Sequence, residues 1–258
     1  MPATDQVVLV TGASKGLGLA IARFLLSQGA KVLGTSRSLS STPDILSLTN
    51  QYPQTFQYLP LDLTTPNAAQ TLVTQTLSHF HSLTAIIHNA GGIEPLAKVA
   101  DANLEEWKKL FDLNFFSGID LIQHSLPYLR TASANGGGRI VVVSSGAAAR
   151  ATAGWGPYCT SKAAVNMLVA GLGLEEKEVT TIAVRPGVVE TEMQDLIRAK
   201  GEQAMDAETY NRFTTLKKEE KLLPPELPGT AIAKLALAAT KDFSGQFVNW
   251  DDERIGSL

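Results

Sequence analysis

The chain has 258 residues, 44% of them hydrophobic and 18% charged, with a formal net charge of −3. These values place it among ordinary globular proteins, exclude an electrostatic drive toward nucleic acid or an anionic membrane, and allow a large core. One cysteine, Cys159, excludes an internal disulfide and fits a reducing compartment. No basic, apolar leader precedes the first glycines, and no apolar run reaches the roughly 18 residues of a membrane helix, so a cytoplasmic location is expected.

In chain order, residues 7–10 read as a strand and 17–28 as a helix stopped by Gly29. Strands follow at 31–35 and 55–61, then a helix at 69–80 and a strand at 83–88. Helices at 104–111 and 115–130 lead through a flexible Gly136-Gly137-Gly138 turn to a strand at 139–143. A helix at 158–176 and a strand at 179–184 come next. Residues 190–228 break the rhythm. They are polar, helical in places and long for a connection, so they are expected to form a substrate-binding lid. The run Lys217-Lys218-Glu219-Glu220-Lys221 inside them reads as a solvated face. Pro224, Pro225 and Pro228 close the segment before a helix at 231–240 and a last short strand at 245–250. Alternating strands and helices predict an α/β fold: one Rossmann-type domain over 1–258, a doubly wound parallel sheet with helices on both faces.

Three places carry chemistry. The first is Thr11-Gly12-Ala13-Ser14-Lys15-Gly16-Leu17-Gly18, between the first strand and the first helix. Glycines there let the backbone approach a pyrophosphate, and the helix N-terminus adds unpaired N–H groups; a plain turn needing glycine conformations is the alternative. The second is the end of the next strand, which faces the adenosine ribose in such a fold. It reads Thr35-Ser36-Arg37-Ser38, with no acid for a 2′-hydroxyl. Arg37, helped by Lys15, suits a 2′-phosphate, so NADP(H) is expected over NAD(H).

The third is Ser145, Tyr158 and Lys162. Tyr158 and Lys162 are four residues apart and share a helix face, while Ser145 ends the strand at 139–143. An ammonium nearby favours phenolate, so Lys162 is expected to pull the phenol below its usual pKa of about 10. A phosphate cradle, a tuned phenol and a hydroxyl predict hydride chemistry between carbonyl and alcohol, with no metal. Trp155 and Met193, with Tyr210 and Phe213, are expected to wall an apolar substrate pocket, or else to be packing residues. Cys159 reads as a packed small residue, with a reactive thiol as the alternative. His79, His81, His88 and His124 have no ligand spacing and read as surface or packing residues.

The chain resembles the short-chain dehydrogenase/reductase family over nearly its whole length. The resemblance rests on Thr-Gly-x-x-x-Gly-x-Gly at 11–18, Asp62-Leu63, Asn89-Ala90-Gly91, Asn114, Ser145, Tyr158-x-x-x-Lys162, and Pro186-Gly187 followed by Thr191. Trp155-Gly156-Pro157-Tyr158, the run from Val189 to Gln194, and Gly245-Gln246-Phe247-Val248 are similar to its benzil reductase and sepiapterin reductase-like members. The resemblance implies that Asp62 and Leu63 meet the adenine, that Asn89 steadies the central strand, and that Ala90 and Gly91 approach the cofactor. It implies that Val189 and Thr191 hold the nicotinamide carboxamide and that Asn114 keeps a water linking Lys162 to solvent. From the residues alone, Asn114 reads as a helix cap, Asp62 as a turn residue and Pro186-Gly187 as a strand-ending turn. The expected substrate is a small carbonyl compound, an aromatic ketone or vicinal diketone, and the expected assembly a homodimer or homotetramer. An NAD-linked alcohol dehydrogenase and a non-catalytic nucleotide sensor are the competing readings.

Overall fold

The computed structural model describes residues 3–39, 42–132 and 137–258. Gly136, the first of the three predicted turn glycines, lies outside them. The order is β1 (Val7–Thr11), α1 (Gly16–Ser27), β2 (Lys31–Ser36), α2 (Pro43–Gln51), β3 (Phe56–Pro60), α3 (Ala68–Phe80), β4 (Ala85–His88), α4 (Leu104–Phe111) and α5 (Ser117–Leu129). Then come β5 (Gly138–Val143), α6 (Gly156–Glu175), β6 (Val179–Arg185), α7 (Glu192–Lys200), α8 (Ala207–Lys218), α9 (Glu226–Ala238), β7 (Gln246–Asn249) and α10 (Glu253–Gly256).

Among the described residues, the seven strands are all parallel, in the order β3-β2-β1-β4-β5-β6-β7. The chain winds outward from β1 to β3, returns to place β4 beside β1, and winds the other way. The crevice at the carboxyl ends of β1 and β4 is therefore the switch point where such sheets bind ligands. Strand periodicity sorts the core into two layers. Val8 and Val10 face α1 and α9, packing with Ile21, Leu25, Ile232 and Leu235. Val7 and Leu9 face α3, α5 and α6, packing with Leu72, Leu121, Val165 and Val169.

Three departures from the sequence reading have physical causes. Helix α2 has no predicted counterpart, because only Ile45 and Leu48 of its nine residues are buried and its pattern is too sparse to read. The two helices predicted around 104–130 are one run, joined by a π-helical turn at Asp112–Phe116 instead of a break. Helix α9 starts at Glu226, before Pro228, since a proline in the first turn removes an N–H that has no intrahelical partner anyway.

Candidate active site

Gly12 and Gly16 have φ of +68° and +52°, in the left-handed region. A Cβ on Gly18 would lie 2.0 Å from the Gly12 carbonyl oxygen, so the turn closes on itself only with glycine there. Helix α1 has no side-chain cap and no acid in its first turn. Its unpaired N–H groups stay available to an anion at the cleft. Thr11 and Asn89 tie this turn to β4. Thr11 Oγ1 accepts from the backbone N–H of Asn89 and of Ala90, each at 3.0 Å. Asn89 Nδ2 donates to the carbonyls of Thr11 (2.9 Å) and Gly12 (3.3 Å).

Helix α6 carries Tyr158 and Lys162 on one buried face, and Ser145 follows β5 as the cap of a short 3-10 turn. Lys162 Nζ donates to the Val143 carbonyl at 2.8 Å and sits 5.9 Å from the centre of the Tyr158 ring. Burial lowers the Lys162 pKa to about 8. Burial also raises the Tyr158 phenol above its ordinary value, with a hydrogen bond to Ser145 acting the other way. The lowering expected from Lys162 together with an oxidised nicotinamide is not seen in the protein alone, where desolvation dominates at the phenol and the ammonium is engaged by the Val143 carbonyl.

Asn114 lies in the π turn, fully buried, behind the wall of the cleft. It is not a helix cap. Its Oδ1 accepts from Gly92 N at 2.8 Å, and its Nδ2 reaches the Gly92 carbonyl and Ser161 Oγ, both at 3.0 Å. A Cβ on Gly91 would come within 3.1 Å of Asn114 Oδ1 and 3.4 Å of Lys162 Nζ, so the glycine keeps these groups close. His88 is buried beside them. Thr11 Oγ1, already accepting twice, has its hydrogen left for His88 Nδ1 at 3.4 Å. Burial first, and then the charge of Lys162, lower the His88 pKa to about 3.

At the adenosine end, Asp62 Oδ1 accepts from the Thr64 backbone N–H and hydroxyl. Those bonds hold its carboxyl below the usual range, and the charge of Arg37 adds to them. Under Arg37 lies a hydroxyl network that the sequence reading missed. Tyr58 Oη donates to the Ser38 carbonyl at 2.9 Å, so Ser36 Oγ donates to Tyr58 Oη at 2.6 Å. Ser36 Oγ in turn accepts from Ser38 N, and Ser14 Oγ donates to Ser38 Oγ. The signal was the density of serines at 36–38 and 14; their meeting with Tyr58 needed the β2–β3 register. Lys15 departs from expectation. Its ammonium pairs with Glu192 at the start of α7, across the cleft.

After β6, Gly187 takes φ +79°, and Thr191 stands at the N-cap position of α7 with its hydroxyl donating to Val189 O and not capping the helix. The loop is clipped to the end of the 190–228 segment: Leu223 N donates to Val188 O at 2.9 Å and Glu190 N to Leu223 O at 2.8 Å. Lys217 pairs with Glu190, so one member of the charge run is a clip and not only a solvated side chain. The wall opposite is apolar. The Trp155 ring stacks on Phe213 of α8 (centres 5.3 Å apart) and meets Tyr158 edge-on (5.8 Å). Ile93, Leu110, Ile197 and Met205 complete this third cluster, with Met193, Cys159 and Tyr210 packed against it. Sequence reasoning singled out Trp155 but not its stacking partner's helix.

One continuous cleft of about 1880 Å³ is lined by Gly12, Ser14, Lys15, Gly16, Leu17, Gly18, Arg37, Asp62, Leu63, Asn89, Ala90 and Gly91, and by Ser145, Trp155, Tyr158, Lys162, Pro186, Gly187, Val189, Thr191 and Met193. Every predicted site residue except Asn114 therefore faces a single space. The glycine turn, the uncapped α1 and the Arg37 end fit a dinucleotide lying along it.

Residues 6–202 match the short chain dehydrogenase family. The chain belongs to that family. An uncharacterized oxidoreductase of Schizosaccharomyces pombe is 44% identical over 247 residues, covering 95% of this chain and 96% of its own. A benzil reductase ((S)-benzoin forming) of Saccharomyces cerevisiae is 36% identical over 264 residues, covering 98% of both. The crystal structure of a short chain dehydrogenase/reductase from the same yeast matches this fold with a TM-score of 0.91, at 35% identity and 98% coverage of both chains. As a short-chain dehydrogenase, the protein is an oxidoreductase acting between CH–OH and C=O with a nicotinamide cofactor. Among the described residues, no helix is long and apolar enough to cross a membrane.

Proposed function

We propose that the protein is an NADPH-dependent carbonyl reductase acting on a ketone or vicinal diketone of aromatic or apolar character. One observation carries this reading: a buried phenol, bonded to Ser145 and one helical turn from Lys162, abuts the aromatic wall made by Trp155 and Phe213. The bound reduced nicotinamide supplies the hydride to the carbonyl carbon. Tyr158 gives its proton to the carbonyl oxygen. Ser145 donates a hydrogen bond to the same oxygen as charge grows there, an effect worth roughly 3–4 kcal/mol for one donor. Lys162 places positive charge near the phenolate that Tyr158 leaves behind, and Asn114 would keep a water through which Lys162 exchanges protons. Arg37 and the Ser38 hydroxyl would take the 2′-phosphate, Asp62 and Leu63 the adenine, and Val189 and Thr191 the carboxamide. Residues 190–228 act as the lid. The likeness to benzil reductases supports the substrate class.

The test is NADPH oxidation with a panel of diketones. Wild-type turnover with loss of orders of magnitude in Tyr158→Phe, NADPH binding being retained, supports the assignment; near-normal turnover of that variant removes Tyr158 from the acid role. Binding without turnover in the wild-type protein points to a sensor instead. We also propose a homodimer or homotetramer in the cytoplasm. Ala163, Met167 and Leu174 form an exposed apolar stripe on α6, the latter two 74% and 75% exposed. A monomer in sedimentation at micromolar concentration would refute the assembly.

A further inference from the structure

Buried hydrogen-bonding atoms in folded proteins are nearly always paired, and each exception calls for a reason. Among the described residues, two side chains that line the cleft hold a buried polar atom with no partner: Trp155 at Nε1 and Gln194 at Oε1. Trp155 is the one beside the phenol. Its backbone is fixed by two hydrogen bonds, Trp155 N donating to Thr152 O and Cys159 N to Trp155 O, and the preceding Gly154 carbonyl accepts from Ala97 N. Its ring is held between Phe213 and Tyr158. The indole is only 6% exposed, so an N–H without an acceptor is a standing cost that a bound acceptor would relieve.

We propose that Trp155 Nε1–H binds the non-reacting oxygen of a vicinal dicarbonyl substrate while Ser145 and Tyr158 take the oxygen being reduced. This rests on the carbonyl reductase reading and sharpens it to a substrate class. The indole and phenol rings are in edge-on contact and both line the cleft, so one small substrate can meet both groups. The bond changes are those already given, and the second carbonyl stays intact, so the product is a hydroxyketone. The N–H is closed off from solvent by its neighbours, so binding includes a local displacement of the groups over its edge.

The experiment compares benzil with deoxybenzoin, which has the same skeleton but one carbonyl. In Trp155→Phe, kcat/KM for benzil should fall tenfold or more, about what a lost hydrogen bond to a buried donor gives, and that for deoxybenzoin by less than about threefold. Equal falls for the two ketones, or none, overturn the donor assignment while leaving the reductase reading standing. Failure of the wild-type enzyme to reduce either ketone overturns both. A measurement on the wild-type protein covers the case of a variant that does not fold. In the NADP⁺ complex, the Trp155 indole ¹H–¹⁵N signal, assigned by elimination with Trp107→Phe and Trp250→Phe, should move downfield on adding benzil and not on adding deoxybenzoin. The same response to both ligands refutes the proposal.

Discussion

At the residue scale, the site is governed by what burial does to Tyr158, Lys162 and His88, and by the exposed charge of Arg37. Tyr158 and Lys162 are both driven toward their neutral forms by desolvation, so the phenol stays protonated and ready to donate. His88 is driven furthest, to about 3. Its folded pKa lies below the unfolded value of about 6.5, so its contribution to stability is full above that pH and lost as pH falls toward 3. The expected slope is about 1.4 kcal/mol per pH unit, or roughly 2 kcal/mol between pH 6.5 and pH 5. Urea denaturation should show that loss in the wild-type protein and a smaller one in His88→Asn; equal losses would show that the imidazole is not the group titrating. Arg37 is the fourth. If it reads a 2′-phosphate, Arg37→Asp should raise the Michaelis constant for NADPH far more than for NADH, and an unchanged ratio would count against it.

At the scale of elements, α6 is the piece that most needs exact seating, because it carries both Tyr158 and Lys162. Its far end rests on a close approach: a Cβ on Gly173 would lie 2.5 Å from Gly245 Cα. Gly173→Ala must lift the helix or shift the turn before β7, at a cost of about 1–3 kcal/mol by urea denaturation; a cost near zero would mean the turn yields freely. The sequence made most of this element order readable, since the strands are continuous apolar runs and the motif residues sit at their ends. It hid α2, whose two buried side chains carry too little pattern. It hid the π turn, whose extra residue leaves no mark in composition. The positions of Asn114 and Gly91 were readable as motif letters, but their mutual contact was not. The hydroxyl network under Arg37 depends on Ser36 pairing in register with Pro60, a fact of sheet geometry and not of spacing along the chain.

At the scale of the molecule, the fold divides into a rigid sheet with its two packed layers and a helical cover over residues 190–228. The rigid part sets the positions of Ser145, Tyr158 and Lys162. The cover supplies Phe213 and Met193, packs on the rest through the third apolar cluster, and is joined to it by two exposed ion pairs, Lys15–Glu192 and Lys200–Glu94, while Lys217–Glu190 lies within it. Individually such pairs contribute little, and salt weakens them further. The Lys15–Glu192 pair differs from the others in its location, because it joins the glycine turn directly to the mouth of α7. Ionic strength therefore becomes a control on how long a spent coenzyme stays put: stopped-flow release should quicken as sodium chloride rises, and Glu192→Gln should release quickly at every concentration.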